Sequence, residues 1–454
     1  MNYCRATAVV IVVGLSMLTT TAHAQDSELV EMIVEFMGDS DFRSLAFDKI
    51  RNEAKGEAAT KRFAEQLDKL SVDGQIGLIS ALADRGDIAA KSPVTAMLDS
   101  ESETVRVAVI RALAKLGDES DCEKLVSLLA KDSAEKSAVT TTLIQIQGQN
   151  ITTAIADQIQ EQPVSVQVQL IDILASRRAL DAIPRLLELA KGDQPELRSA
   201  AMTALGSIAS PDHLPEMVQG ILKAEPGREK TNAERNVAKI CNQISDIQNR
   251  SAPLLEVYQT LDAGDRNAML ATLGRVGGDA ALKEIETAIS STDGTTHSRG
   301  IGALASWPDA SVAGKLKEIA FQDPHLNHQL TALRALLRVA PLADGRPDQE
   351  KLELLQQTMQ FTARVADRNY ALQRASAIRI PETLRWVMTF IDDPRYTEQA
   401  CQTIVELAHI RDLRDDNKAE FHAALDKVMA ISKDPTVLER ADRYKKGRTW
   451  VRPK

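Results

Sequence analysis

A segment of thirteen residues recurs along this chain at a fixed distance. Gln75 to Asp87 reads Q-I-G-L-I-S-A-L-A-D-R-G-D, and Arg106 to Asp118 reads R-V-A-V-I-R-A-L-A-K-L-G-D. Leu82 and Leu113 are 31 residues apart, and so are Gly86 and Gly117. Such a period implies one supersecondary unit stacked many times, because no single unit can bury its own apolar face. The anchor position continues through Ile144, Leu174 and Leu205, then Leu273, Leu304 and Leu336, then Ala377 and Leu407. The 68 residues between Leu205 and Leu273 leave room for one longer repeat around 237–247.

Each copy has the periodicity of a helix pair. Val105, Ala108, Val109 and Ala112 lie at i, i+3, i+4 and i+7, which puts them on one helical face. Gly86, Gly117, Gly148 and Gly277 or Pro308 and Pro381 then stop the first helix. Second helices are expected over Cys122–Ala130, Ile183–Ala190, Ala280–Ile289 and Val312–Phe321, each followed by an Asp-containing loop. The expected fold is all-α: a right-handed α-solenoid, or superhelix, of about eleven to twelve stacked antiparallel helix pairs. Aromatics make up only 4% of the chain, which suits close helix packing through small residues.

The organisation reads as five segments. Residues 1–24 have the form of a secretory signal peptide, with Arg5, an apolar run from Ala6 to Leu18, and Ala22-His23-Ala24 before a cut after Ala24. An uncleaved membrane anchor is the competing reading, though the apolar run is short for a span. Residues 25–70 read as capping helices, with Asp39 or Ser40 capping a helix over Phe42–Lys55. Residues 71–340 form the regular array, 341–433 form divergent repeats beginning with helix Ala371–Pro381, and 434–454 form a terminal helix and basic tail. Loop insertions are expected at Glu225–Lys230 and Pro341–Gln349. The expected location is exported, periplasmic or extracellular.

The pattern D-S-E-S-E-T-V-R-V-A-V-I-R-A-L-A-K-L-G-D, Asp99 to Asp118, resembles the HEAT repeat, and most of all its short phycobilisome-lyase-like subtype. Pro195–Ala209 and Gly264–Asp279 are further copies. Taken whole, the chain is similar to exported bacterial HEAT-repeat proteins. The resemblance implies protein–protein contact and no chemistry of its own. It also implies a polar ladder between an Arg in the first helix and the Asp before it. Arg106, Arg198 and Arg266 stand seven residues before their anchors, while Gln75, His297 and Gln329 replace the Arg elsewhere.

The residues give no catalytic, cofactor-binding or metal-ligating assignment, and no cofactor. There is no His-Glu dipeptide of the metal-dependent hydroxylases of this type, no C-x-x-C-H haem motif, no G-x-S-x-G elbow and no phosphate-loop fingerprint. Gly277-Gly278 reads as a helix stop. His325 and His328, at i and i+3, could share a helix face, but zinc takes three or four ligands and no further ligand is near in sequence; solvated loop residues are the plainer reading. His213, His297, His409 and His422 read as isolated. Trp307 and Trp386 read either as packing at seams between repeats or as stacking platforms for a sugar, and Trp450 as a cap or a recognition tail. Cys122, Cys241 and Cys401 read as buried small hydrophobes, with a Cys241–Cys401 bridge left open. The net charge of −9 argues against nucleic acid as the main partner. The seven basic residues of Arg440–Lys454 fit either an anionic partner or the chain's own acidic surface. The expected function is a non-enzymatic scaffold that binds a protein through its concave surface. The alternative is an accessory or carbohydrate-binding part of a sugar-degrading assembly, and a third reading is an enzyme assembled from side chains of different repeats.

Overall fold

The computed structural model describes residues 28–130 and 134–450. The expected signal peptide, residues 1–24, lies outside the described residues. Among those described, all regular structure is helical. The chain divides into two compact units, one ending at Ala209 and one beginning at Ser210.

The first unit opens with a helix over 28–38. Its repeats contribute first helices Arg43–Asn52, Val72–Arg85, Glu103–Leu116, Glu135–Gln145, Val164–Ser176 and Pro195–Ile208. Within this unit consecutive members pack together, the contact that defines a solenoid. The second helices, such as Cys122–Leu129 and Ile183–Ala190, fall between them in sequence. Of the helical face foreseen at Val105, Ala108, Val109 and Ala112, all but the half-buried Ala108 are buried, with Leu113 and Leu116 beside them. Burying one such side chain fully contributes about 1.5–3 kcal/mol.

The second unit repeats the plan. Its first helices are Arg228–Cys241, Ala263–Val276, Gly294–Ala305, Leu326–Val339, Val365–Ala375 and Thr397–His409. Consecutive members pack together, and the final helix Pro435–Lys445 closes on Thr397–His409 and Lys418–Ile431. Each unit is an all-α solenoid. The helix starts have local causes. Asp262 accepts from the Asp265 amide, Asp293 from the Thr296 amide, and Asp434 from the Thr436 and Val437 amides.

Several boundaries differ from the sequence reading. Neither Asp39 nor Ser40 caps the second helix, whose N-cap is Phe42. The expected Glu225–Lys230 insertion is short, because Gly227 at φ 113° lets a helix start at Arg228. Helix Asp348–Gln360 claims the end of the expected Pro341–Gln349 loop. In the fourth first helix Leu143 is fully buried and Ile144 lies at the rim, one place off the assumed register. The helix expected over Ala371–Pro381 runs instead over Val365–Ala375. Ala377 is exposed, and Ala375 fills the anchor place. Apolar spacing in A-L-Q-R-A-S-A-I fits either register, so the packing of Leu372 and Ile378 decides it.

Candidate functional site

The position seven residues before each anchor has a definite job. Arg106 donates Nη1 to the carbonyls of Ser100 and Glu101 at 2.7 and 3.0 Å. Arg198 does the same to Gly192 and Asp193 at 3.1 and 2.8 Å, and Arg266 reaches Gln259 at 2.7 Å. Arg43, seven before Ile50, bonds the Met37 carbonyl at 3.0 Å, and Arg368, seven before Ala375, bonds that of Thr362 at 2.7 Å. These arginines tie down the loop that enters their own helix. The Asp–Arg ladder implied by the resemblance is thus largely a set of bonds to backbone carbonyls. Where Gln329 replaces Arg, its amide bonds the Asp323 carbonyl at 2.7 Å. Where His297 replaces it, Nδ1 bonds the Ile289 carbonyl at 2.5 Å.

His297 is not isolated. Its ring lies 5.0 Å from that of His328, centroid to centroid, and both approach the Asp323 carboxylate. His297 Nε2 is 3.5 Å from Asp323 Oδ2, and His328 Nδ1 is 3.1 Å from Oδ1. One nitrogen or oxygen atom from each of the three residues lies within 4.8 Å of the other two. The Asp323 side chain is only 6% exposed. Burial pushes its carboxyl upward, but the His325 amide at 2.8 Å and the His328 and His297 rings outweigh burial and hold it below the ordinary carboxylate range.

The sequence reading set His325 beside His328, and the fold keeps those rings 5.0 Å apart while bringing His297 equally close to His328. His325 is the N-cap of helix Leu326–Val339 and its ring is largely exposed, though Nδ1 comes within 3.4 Å of Asp323. A signal for the added partner was present: 297 and 328 are 31 apart, one full repeat, so the two rings stand at the starts of adjacent first helices. Asp323 had no such marker, because it lies in the connecting loop.

Other candidates resolve simply. Trp307 is 2% exposed and donates to Ser311 at 2.9 Å, so no face is free for a sugar. Trp386 is half-buried, edge-on to Phe390. Trp450 lies under the Arg440 guanidinium at 4.9 Å. Arg440, Arg443 and Lys446 pair with Glu406, Glu439 and Asp442, and Lys445 with Asp426, so these four cations of the basic tail meet the chain's own acids. Cys122, Cys241 and Cys401 are free and buried, and burial pushes their thiols up to about 11, 12 and 12. Phe361 is 59% exposed and stacks on Phe321 at 3.7 Å and 17°, closer and flatter than the Phe36–Phe42 stack of the first unit at 5.4 Å and 26°.

Helix pairs stacked at a 31-residue period make each unit an α-solenoid of the repeat-protein class. The HEAT repeats profile matches residues 60–144 and 152–238, so these stretches carry HEAT repeats. No curated protein matches the chain. Among solved structures, Kap121p bound to Nup53p is similar at 13% identity and a TM-score of 0.44, over 93% of this chain and 53% of that one. Kap121p bound to Pho4p is similar at 11% identity and 0.47, over 89% and 52%. The Kap95:Nup1 complex is similar at 13% identity and 0.47, over 92% and 68%. The chain spans about half the length of the Kap121p chains that it matches.

Proposed function

We propose that this protein is an exported, non-enzymatic scaffold of short, phycobilisome-lyase-like HEAT repeats that docks another protein. The docking face is the one carried by the second helices, the concave side in arrays of this kind. The observation that carries the reading is the Phe321–Phe361 stack. Phe321 ends second helix Ala313–Gln322 and Phe361 caps second helix Asp348–Gln360, so two successive repeats present one aromatic pair to solvent. Leu326, in the loop-to-helix turn after Phe321, is 66% exposed as well. Exposed aromatic anchors of this kind mark protein interfaces more than they serve stability. Export rests on the leader-like residues Ala6–Leu18 and Ala22-His23-Ala24. Among the described residues, no helix is long and apolar enough to cross a membrane.

Cell fractionation with N-terminal sequencing tests export: the mature chain is expected outside the cytoplasm and starting at Gln25. A cytoplasmic chain that keeps Met1 would reject it. Docking is tested by cross-linking in the envelope fraction, followed by purification of the captured protein. That protein is expected to bind Phe361→Asp at least tenfold more weakly than wild type, while Phe42→Asp, an exposed site in the first unit, binds unchanged. Equal affinity for all three would remove the stack from the interface.

A further inference from the structure

The protein-docking reading makes no use of the His297–Asp323–His328 cluster. We propose that these three residues form a binding site for a divalent transition metal of the zinc class, bridging two consecutive repeats.

His297 has its tautomer set by the backbone. A carbonyl oxygen only accepts, so the bond to Ile289 fixes the proton on Nδ1. In the neutral ring Nε2 then carries a lone pair, and that lone pair faces the Asp323 carboxylate 3.5 Å away. Two electron-rich atoms held in this way repel unless a cation lies between them. The cation is either a proton on Nε2 or a metal ion. His328 offers the matching second ligand. Its Nε2 lies 2.9 Å from Ser298 Oγ, which can accept the ring proton and free Nδ1 towards Asp323. Both imidazoles therefore have an outer partner on the far nitrogen, a carbonyl for one and a hydroxyl for the other. This is how metal-bound histidines are oriented and their tautomers set.

The spacing also fits. Ligand atoms about 2.0–2.1 Å from a tetrahedral zinc lie roughly 3.4 Å from one another. Asp323 Oδ2 stands 3.5 Å from His297 Nε2 and Oδ1 stands 3.1 Å from His328 Nδ1, and one ligand atom from each residue lies within 4.8 Å of the other two, so a bound ion would draw the set together by a small side-chain adjustment. Nitrogen and carboxylate ligands in this ratio suit zinc-class ions, and three protein ligands leave a fourth position for water. The Asp323 side chain is only 6% exposed, and no Lys or Arg pairs with it among the described ion pairs. His297 belongs to helix Gly294–Ala305 and His328 to helix Leu326–Val339. A bound ion would therefore clip one repeat to the next.

A control is written into the neighbouring repeat. At the place equivalent to His297, Gln329 holds its loop by an amide-to-carbonyl bond. His297→Gln should keep that loop-holding role and lose the ligand. The experiment uses the tag-free mature chain, stripped with a chelator and titrated with ZnCl2 by calorimetry and against a chromophoric chelator. Circular dichroism checks the fold of every variant. Wild type is expected to bind one zinc per chain. His297→Gln and Asp323→Asn are each expected to bind at least tenfold more weakly with their helical spectra intact. Absence of stoichiometric binding by wild type overturns the proposal. So does wild-type affinity in either variant, which would leave His297 with the proton-bridged, purely structural role. If Asp323→Asn does not fold, His328→Ala takes its place with the same two readings.

Discussion

Arg177 donates Nη1 to the carbonyl oxygen of Ile146 at 3.0 Å, one repeat earlier in the chain. The same nitrogen also reaches Leu143 and Ile144, at 2.7 and 2.9 Å. Arg85 bonds the carbonyls of Ile50 and Glu53 at 2.8 and 2.9 Å and that of Ala54 besides. Arg338 bonds Ala305 and Trp307 at 3.1 and 2.6 Å, and Arg374 bonds Arg338 at 2.9 Å. In each case a cation from the end of one first helix satisfies the open carbonyls at the end of the preceding first helix, where the helix dipole also favours it.

Removing that group should leave buried acceptors unpaired. Arg177→Met keeps most of the aliphatic stem and deletes the donors. It is expected to destabilise the first unit by about 2–3 kcal/mol, the range for bonds that involve a charged group. Urea unfolding followed by circular dichroism measures this. A change under about 0.5 kcal/mol, the range of ordinary surface substitutions, would mean water replaces the guanidinium without loss.

These arginines were invisible to the repeat alignment for a physical reason. Arg85 and Arg177 stand three residues after their anchors, but Arg338 stands two after Leu336 and Arg374 one before Ala375, while the third place holds Leu116, Ile208 and Val276 in other copies. The same gap is filled either by a cation that bonds carbonyls or by an apolar plug, so no single residue type recurs. Period and helix pairing were legible because apolar burial repeats strictly. The metal-type cluster was half legible: the 31-residue spacing of His297 and His328 was on view, whereas Asp323 acquires its meaning only when the loop folds over both. Register in the Val365–Ala375 helix was not legible, since Ala371, Ala375 and Ala377 are alike in sequence and differ only in what they pack against.

Close approach of two first helices makes the second prediction. A Cβ on Gly274 would lie 2.1 Å from the Ala303 carbonyl oxygen, whereas one on Gly302 would meet nothing within 4 Å. Gly274→Ala must push two helix backbones apart and is expected to destabilise by about 1–3 kcal/mol. Gly302→Ala, in an exposed helix interior, should stabilise by roughly 0.5–1 kcal/mol. Thermal unfolding of the two single variants should show opposite signs.

Arg178 sits at φ 55°, in the left-handed region that Gly86 occupies at φ 70° at the end of an earlier first helix. Glycine enters that region freely, whereas other residues cost roughly 1–2 kcal/mol there. Arg178→Gly should therefore stabilise the chain, by about 0.5–1 kcal/mol after the extra freedom of the unfolded glycine is subtracted. A lowered midpoint in the same unfolding assay would show that the Arg178 side chain has a role that outweighs the backbone strain.

The Lys91 ammonium holds the Asp118 carboxyl down at about 2, with help from the Ser120 hydroxyl. A carboxyl lowered on folding contributes its stability in full above its ordinary value and loses it as pH falls towards the folded one. The window here runs from about pH 4 down to about pH 2. Asp118 is substantially exposed, so solvent screening limits the effect to about 0.5–1 kcal/mol. Asp118→Asn should accordingly be less stable than wild type at pH 6 and indistinguishable from it near pH 2. An unchanged difference across that window would assign the loss to the Ser120 turn instead.

The arginine bonds to carbonyls at the end of a neighbouring first helix all run one way, whereas the side-chain pairs Arg106–Glu135 and Arg334–Asp367 reach the following repeat. Arg85 and Arg177 in the first unit, and Arg338 and Arg374 in the second, each serve the repeat before their own. Deleting a repeat from the downstream side would strip a guanidinium from the helix left behind, whereas deletion from the upstream side would set that arginine loose in water. Upstream deletion also takes a partner from a buried carboxylate, Glu135 in the first unit or Asp367 in the second, so the two ends of a unit fray at different groups: carbonyls at one, carboxylates at the other.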